Sequence, residues 1–275
     1  MIRLLGVLAL VLGLIPAASP AAAATDDEFA GAVPGLAGKT WVDVLSQIFP
    51  DIAVMDRGYA TATEVIDLRS IGPGDDSWVK CGDEIKFLDF DARPVRLSGQ
   101  DYVIVTVMIE DDCVGPIGLF DAAGKLVDAV NIRGDQHVSF SGDYVRPLGS
   151  DGALVIASLW HDNSDQSYDI TSLVLAKPGG FSVIGEVLAF GSRDCRSQFT
   201  EEAKIDLARG TGPMLRIDGA VTRRAQRLAA DCETRTGPES KTTFNGYWRW
   251  NAKKSAYEPH TRELDLLDKW NEKRF

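Results

Sequence analysis

Histidine is scarce in this chain. His137, His161 and His260 are the only three in 275 residues, and they lie far apart. Cysteine is nearly as rare, at four, with no C-x-x-C and no zinc-type spacing. A structural zinc site and dithiol redox chemistry are therefore not expected. No G-x-S-x-G elbow, no H-E-x-x-H and no P-loop occurs, which removes the commonest signatures of hydrolases, zinc peptidases and nucleotide-binding enzymes. N-glycosylation acceptors are also absent. Net positive charge is lacking: the formal charge is −11, which argues against nucleic acid as a partner, because such binding relies on neutralising phosphates. The sequence implies no cofactor and no metal.

Only one long apolar run is present, Leu4–Ile15, and its 12 residues fall short of the roughly 20 that span a bilayer. Arg3 precedes it, and a Pro- and Ala-rich stretch ending at Ala22-Ala23-Ala24 follows. This pattern predicts a secretory signal peptide over 1–24, cleaved after Ala24, and hence a periplasmic or secreted protein that does not span the membrane. With no cysteine at the cleavage site, a lipoprotein is not expected. In an oxidising compartment the four cysteines read as two disulfides. Of three possible pairings, Cys81–Cys113 with Cys195–Cys232 closes two local loops and is the expectation. The charge is uneven. Residues 25–202 carry 13 Lys/Arg against 30 Asp/Glu, and residues 203–275 carry 15 against 10. The basic end either packs near the acidic body or forms a cationic docking face.

Residues 25–38 are polar and rich in Gly, Ala and Pro, and read as a flexible leader before a single β-rich domain over 39–275. A helix is predicted over 40–49. Thr40 is its N-cap, Asp43 completes a capping box, and Trp41, Val44, Leu45, Ile48 and Phe49 make one apolar face. Pro50 ends it. Beyond residue 60 one unit recurs: "RLSGQDYVIVTVMIEDD" from Arg96, "RPLGSDGALVIASLWHDN" from Arg146, and, more loosely, "LARGTGPMLRIDG" from Leu207. In the first two copies an apolar strand leads to an acidic loop, a second strand, a Gly turn and a third strand. Ile85–Leu97 is a candidate fourth copy. A period of about 50 residues built of antiparallel meanders predicts a mainly β, propeller-like repeat fold, with a two-sheet sandwich as the alternative. The leading strands are apolar on both faces, so they should be covered on both. A C-terminal helix is predicted over 262–273, capped by Thr261, with Leu264, Leu267 and Trp270 as its stripe.

The stretch "SLWHDNSDQSYDITSL", 158–173, concentrates reactive side-chain types. His161, Asp162, Asn163, Asp165, Gln166 and Tyr168 are candidate ligand-binding residues. A calcium-loop pattern fails here, and neighbours on one loop rarely face each other as a catalytic carboxylate pair must. Asn, Asp and Ser also stabilise turns by bonding nearby backbone N–H groups. The equivalent loop of the first unit is Glu110-Asp111-Asp112. If the units pack side by side, the two loops form an acidic rim able to hold a divalent cation or a basic partner. Arg133-Gly134-Asp135 reads as a turn. Phe244, Tyr247, Trp248, Trp250 and Tyr257 are either half core or a stacking surface for sugars.

"HDNSDQSYDITSLVL" and the tail "GYWRWNAKKSAYEPHTRELDLLDKWNEKRF" resemble segments of uncharacterised secreted bacterial proteins. The tail is similar to the Tyr-x-Trp-(Asp/Asn) hairpins of propeller-like repeat proteins, although the calcium motif of the integrin-like repeats is missing. The resemblance covers about the last 130 residues. It implies a β-repeat fold and export, and it carries no activity. Two functional readings follow. One is a non-catalytic envelope scaffold that binds a protein, glycan or cation of the cell envelope through loops at one end. The other is a periplasmic hydrolase of envelope polysaccharide or ester, working through rim carboxylates or His161.

Overall fold

The computed structural model describes residues 26–55, 60–71, 84–110, 114–132, 137–140, 142–208 and 214–274. The expected signal peptide, Asp111, Asp112, Arg133–Asp135 and both Cys81 and Cys113 lie outside the described residues.

Two short helices, α1 (Asp26–Phe29) and α2 (Trp41–Leu45), precede the sheets. Thr40 closes a capping box with Asp43: the Asp43 N–H donates to Thr40 Oγ1 at 3.3 Å, and the Thr40 N–H donates to Asp43 Oδ2 at 2.9 Å. Residues 25–38 are not a loose leader where they are described. Phe29, Val33 and Leu36 are buried in the same apolar cluster as Trp41, Val44, Leu45, Ile48 and Phe49. Two aromatic and two aliphatic anchors, Phe29, Val33, Leu36 and Trp41, outweigh the turn-forming glycines between them.

The first sheet contains β1 (Ala53–Val54), β2 (Ala60–Ala62), β3 (Arg69–Ser70), β4 (Ile85–Leu97), β5 (Gln100–Ile109), β6 (Pro116–Asp121) and β7 (Leu126–Asn131). Its spatial order is β1-β2-β4-β5-β6-β7-β3, antiparallel except where β3 runs parallel to β7. The strand β5 explains the layering. Val103, Val105, Val107 and Ile109 face the helical cluster, while Tyr102 and Ile104 face the second sheet. A strand apolar on both faces is buried on both.

The second sheet contains β8 (His137–Ser139), β9 (Val145–Pro147), β10 (Ala153–Asp162), β11 (Gln166–Lys177), β12 (Gly180–Arg193), β13 (Ser197–Leu207), β14 (Ile217–Leu228), β15 (Arg235–Asn251) and β16 (Ala256–His260). Strands β10 to β16 form a continuous antiparallel meander, and β8 and β9 both pair with β10. At the β12–β13 corner only Ser192↔Phe199 and Arg193↔Gln198 are paired. Past that corner the meander turns back over β10–β12. Val155, Ala157 and Leu159 of β10 pack on the first sheet, whereas Leu154, Leu173, Leu175 and Val187 pack on Ile205, Ile217, Val221 and Trp248. The final helix, α3 (Arg262–Asn271), closes this second interface with Leu264 and Leu267, and a 3-10 turn (Glu272–Arg274) follows it.

The protein is thus mainly β, built of three stacked antiparallel layers with helices at two faces. Among the described residues both sheets are open-ended, and neither closes into a barrel or a ring of blades. No described helix is long and apolar enough to cross a membrane. Cys195 and Cys232 form the expected disulfide, with Cα atoms 4.2 Å apart.

Candidate functional site

The polar stretch that stood out in the sequence is mostly strand. Asp162 pairs with Ser167 and His161 with Tyr168, leaving a tight connection at Asn163–Gln166. Asn163 Oδ1 accepts from the N–H groups of Asp165 at 3.1 Å and Gln166 at 2.9 Å, which is the turn-stabilising use of such a residue. The His161 and Tyr168 rings stack at 5.3 Å, 4° from parallel. The Asp165 carbonyl accepts from the Arg193 N–H at 2.9 Å, docking the tip onto β12. A cavity of about 170 Å³ lies here, lined by Asp162, Asn163, Asp165, Gln166, Arg193 and Gln198 among others, and Glu110, the one described residue of the other acidic loop, does not line it. Glu110 is ion-paired with Lys86 at 2.9 Å. Among the described residues no three His, Cys, Asp or Glu side chains come together to hold a metal ion. Asp169 points to the opposite face from His161. Burial raises its pKa, partly offset by a hydrogen bond with Thr171.

A groove of about 650 Å³ lies on the outer face of β13–β16. Its origin is a pattern present twice in the sequence. Lys204-Ile205-Asp206 on β13 and Arg216-Ile217-Asp218 at the start of β14 each bury the central isoleucine and turn a cation and a carboxylate outward. The strand register then sets Asp206 opposite Asp218, Asp218 opposite Tyr247, and Tyr247 opposite His260, one row across four strands. Two like charges directly opposite would repel. Each is instead held by its own cation. Lys204 Nζ lies 2.6 Å from Asp206, and Arg216 grips both oxygens of Asp218, at 2.8 and 3.0 Å. The Asp218 carboxylate also raises the Arg216 pKa.

Arg216 stacks over the Tyr247 ring at 5.1 Å, and His260 stacks on Tyr247 at 4.6 Å. The neighbouring row supplies Ala220 and Asn245, whose N–H donates to Glu263 Oε2 at 2.9 Å. Gly219 and Gly246 pair across the floor. A Cβ on Gly219 would come within 2.9 Å of the buried Trp248 ring, and one on Gly246 within 2.7 Å of Leu264. The two glycines let the sheet lie close on Trp248 and α3.

The groove therefore offers hydrogen-bond donors and acceptors in alternation around a stacked aromatic row. Asp206 and Asp218 are each clamped by a cation, and the groove's third carboxylate, Glu263, accepts from the Asn245 N–H.

On the inner side of the same strands lies a buried ionic clamp. The Glu201 side chain is fully buried and accepts from Arg223, from Asn271 Nδ2 at 2.9 Å and from the Phe190 N–H at 3.0 Å. Arg223 also donates to Asn271 Oδ1 at 2.9 Å and lies 3.5 Å over the Trp270 ring. This network joins β12, β13, β14 and α3. Beside it, Asp268 is pushed up to about 7, chiefly by burial and then by Asp265, Glu272, Glu201 and Glu186. Burial raises Glu186 as well.

Of the aromatic cluster read from the tail, Trp248 and Tyr257 are core, Phe244 and Trp250 are half-buried, and Tyr247 alone stands in the groove. Lys204, Asp206, Arg216 and Asp218 escaped the sequence reading, although the repeated cation-Ile-Asp triplet was a legible signal. Compared with known protein families, with curated proteins and with solved structures, the chain matches none.

Proposed function

We propose that the protein is an exported, non-catalytic β-scaffold whose outer groove on β13–β16 binds a glycan. The observation that carries this is the four-strand row Asp206–Asp218–Tyr247–His260 with its clamping cations. A sugar presents vicinal hydroxyls that both donate and accept. Oriented carboxylates, an asparagine amide and guanidinium N–H groups match that pattern, and near-neutral charge balance within the groove disfavours a strongly ionic ligand. Export is supported by the signal-peptide pattern and by the Cys195–Cys232 disulfide. The His161–Asp169 hairpin serves as a docked turn in this reading.

The test is a glycan array probed with the full chain, followed by calorimetry on any hit. Binding is expected to fall at least tenfold in Asp218→Asn and Tyr247→Ala, and to be unchanged in Asn163→Ala at the hairpin. An array without hits, or hits indifferent to both groove variants, overturns the proposal. Release of new reducing ends from a bound polysaccharide would favour the hydrolase reading instead.

A further inference from the structure

The strand β15 is 17 residues long, yet its two edges are covered unequally. On one side β14 pairs with it from Arg235 to Trp248. On the other, β16 reaches only Tyr247–Asn251. The Asn245 N–H points toward this second side, where it donates to Glu263 Oε2. By the alternation of an antiparallel strand, the N–H and C=O groups of Thr243 and Lys241 point the same way. Among the described residues these four groups have no hydrogen-bond partner.

An open edge invites another strand, and proteins usually blunt it. Here the blunting stops short. Gly237, at φ +74, and Pro238 occupy a register shift that guards the first part of the strand. Ser240–Asn245 has Lys241 as its one charged side chain, and no carboxylate lies within ion-pair distance of it among the described residues.

A cavity of about 570 Å³ opens beside this edge, lined by Phe244, Leu266, Leu267 and Trp270 with Thr243, Arg223 and Glu263 at its margin. Leu266 is 58% exposed and Trp270 39%. Thr243 turns its side chain to the outer face, bonding Thr222, so the cavity meets β15 at its edge rather than beneath it. A strand added there would direct alternate side chains over the apolar floor.

We propose that the Ser240–Asn245 edge is a docking site for an extended peptide of a partner protein, held by β-augmentation, with a large apolar side chain in the Phe244–Leu266–Trp270 cavity and acidic residues beside Lys241. A second copy of this chain fits less well. Of its own inward-facing edge residues, Ser240 and Thr242 are too small to fill the cavity and Phe244 is already packed against its own core, and its edge brings another lysine rather than an acid.

The probe is a fluorescein-labelled heptapeptide, Glu-Val-Thr-Leu-Thr-Val-Glu, which puts Val, Leu and Val on one face. The control has the same composition with the apolar residues consecutive. Saturable anisotropy is expected for the alternating peptide alone, together with slowed amide exchange at Lys241 and Thr243. Thr243→Pro removes an edge donor without breaking a backbone bond to β14, and costs there only the exposed side-chain bond to Thr222. Leu266→Glu charges an already exposed position. Each variant should weaken binding at least tenfold, and circular dichroism should match the parent for Leu266→Glu. The proposal is overturned if the alternating peptide does not bind, if both peptides bind alike, or if neither variant weakens binding. It is also overturned if the chain sediments as a dimer that Thr243→Pro dissociates, which would assign the edge to self-pairing.

Discussion

Glu201 shows how one charge can organise several elements. Its carboxylate is wholly buried, and a buried ion persists only when paired and hydrogen-bonded. Arg223 supplies the charge, Asn271 and the Phe190 N–H the remaining bonds. The guanidinium is itself wedged between Phe199 at 4.7 Å and Trp270 at 3.5 Å. Replacing Arg223 with Ala strands the carboxylate, and chemical denaturation should show a loss of about 3–5 kcal/mol. The pair's net worth is a separate quantity. The double variant Glu201→Leu/Arg223→Met removes both charges at similar volume and should recover most of the loss. A double variant as unstable as Arg223→Ala alone would show that packing, not the orphaned charge, sets the cost. None of this was legible in the sequence, because Glu201 sits in "QFTEEAKID", a run that alternates like an exposed strand. Its burial depends on α3 arriving from 70 residues away.

Elements were legible in proportion to their local patterning. Thr40 and Asp43 announce α2 because a capping box is written within four residues. The apolar cores of β5 and β10 announce themselves in the same way. By contrast, "VTRRAQRL" and "RTGPESKTT" have no apolar alternation, and they form long stretches of β14 and β15 only because neighbours on the sheet supply their backbone bonds. The groove was missed for this reason: its polar residues lie on strands whose other face alone carries the hydrophobic signal. The helix α3 carries a pH consequence that needs tertiary context as well. Asp268, pushed up to about 7 from 3.8, is surrounded by Asp265 of its own helix, Glu272 of the 3-10 turn after it, and Glu201 and Glu186 of the sheet. Its native pKa exceeds the unfolded one, so between about pH 4 and pH 7 the native state holds more protons than the unfolded state. Stability from this group is therefore full below pH 4 and falls as pH rises to 7. Urea denaturation at pH 5 and pH 8 should show Asp268→Asn removing about 1–2 kcal/mol of that decline, the part that survives screening at a half-buried site. An unchanged slope would place the titration elsewhere.

For the whole molecule, the layers depend on how the chain turns its corners. The middle layer, β10–β12, is covered on one face by the first sheet and on the other by β13–β16 and α3. The fold-back starts at the β12–β13 corner, where strand pairing is thinnest, and Cys195 lies in that corner. Its partner Cys232 lies in the β14–β15 turn, 37 residues on. The same junction is also held without sulfur. Arg193 donates to the Cys232 carbonyl at 2.8 Å, and the Leu228 N–H donates to the Arg196 carbonyl at 2.8 Å. The crosslink then acts mainly on the unfolded chain. Closing a loop of this length removes chain entropy worth about 3–4 kcal/mol. Reduction should accordingly leave the far-ultraviolet spectrum at 25 °C unchanged while lowering the thermal midpoint by about 5–15 °C. Hydrogen exchange should locate the loosening in β13–β15 and spare β4–β7, which packs on the opposite face of the middle layer. Uniform loosening of both sheets would mean that the three layers unfold as one unit and that the corner is not a boundary between them.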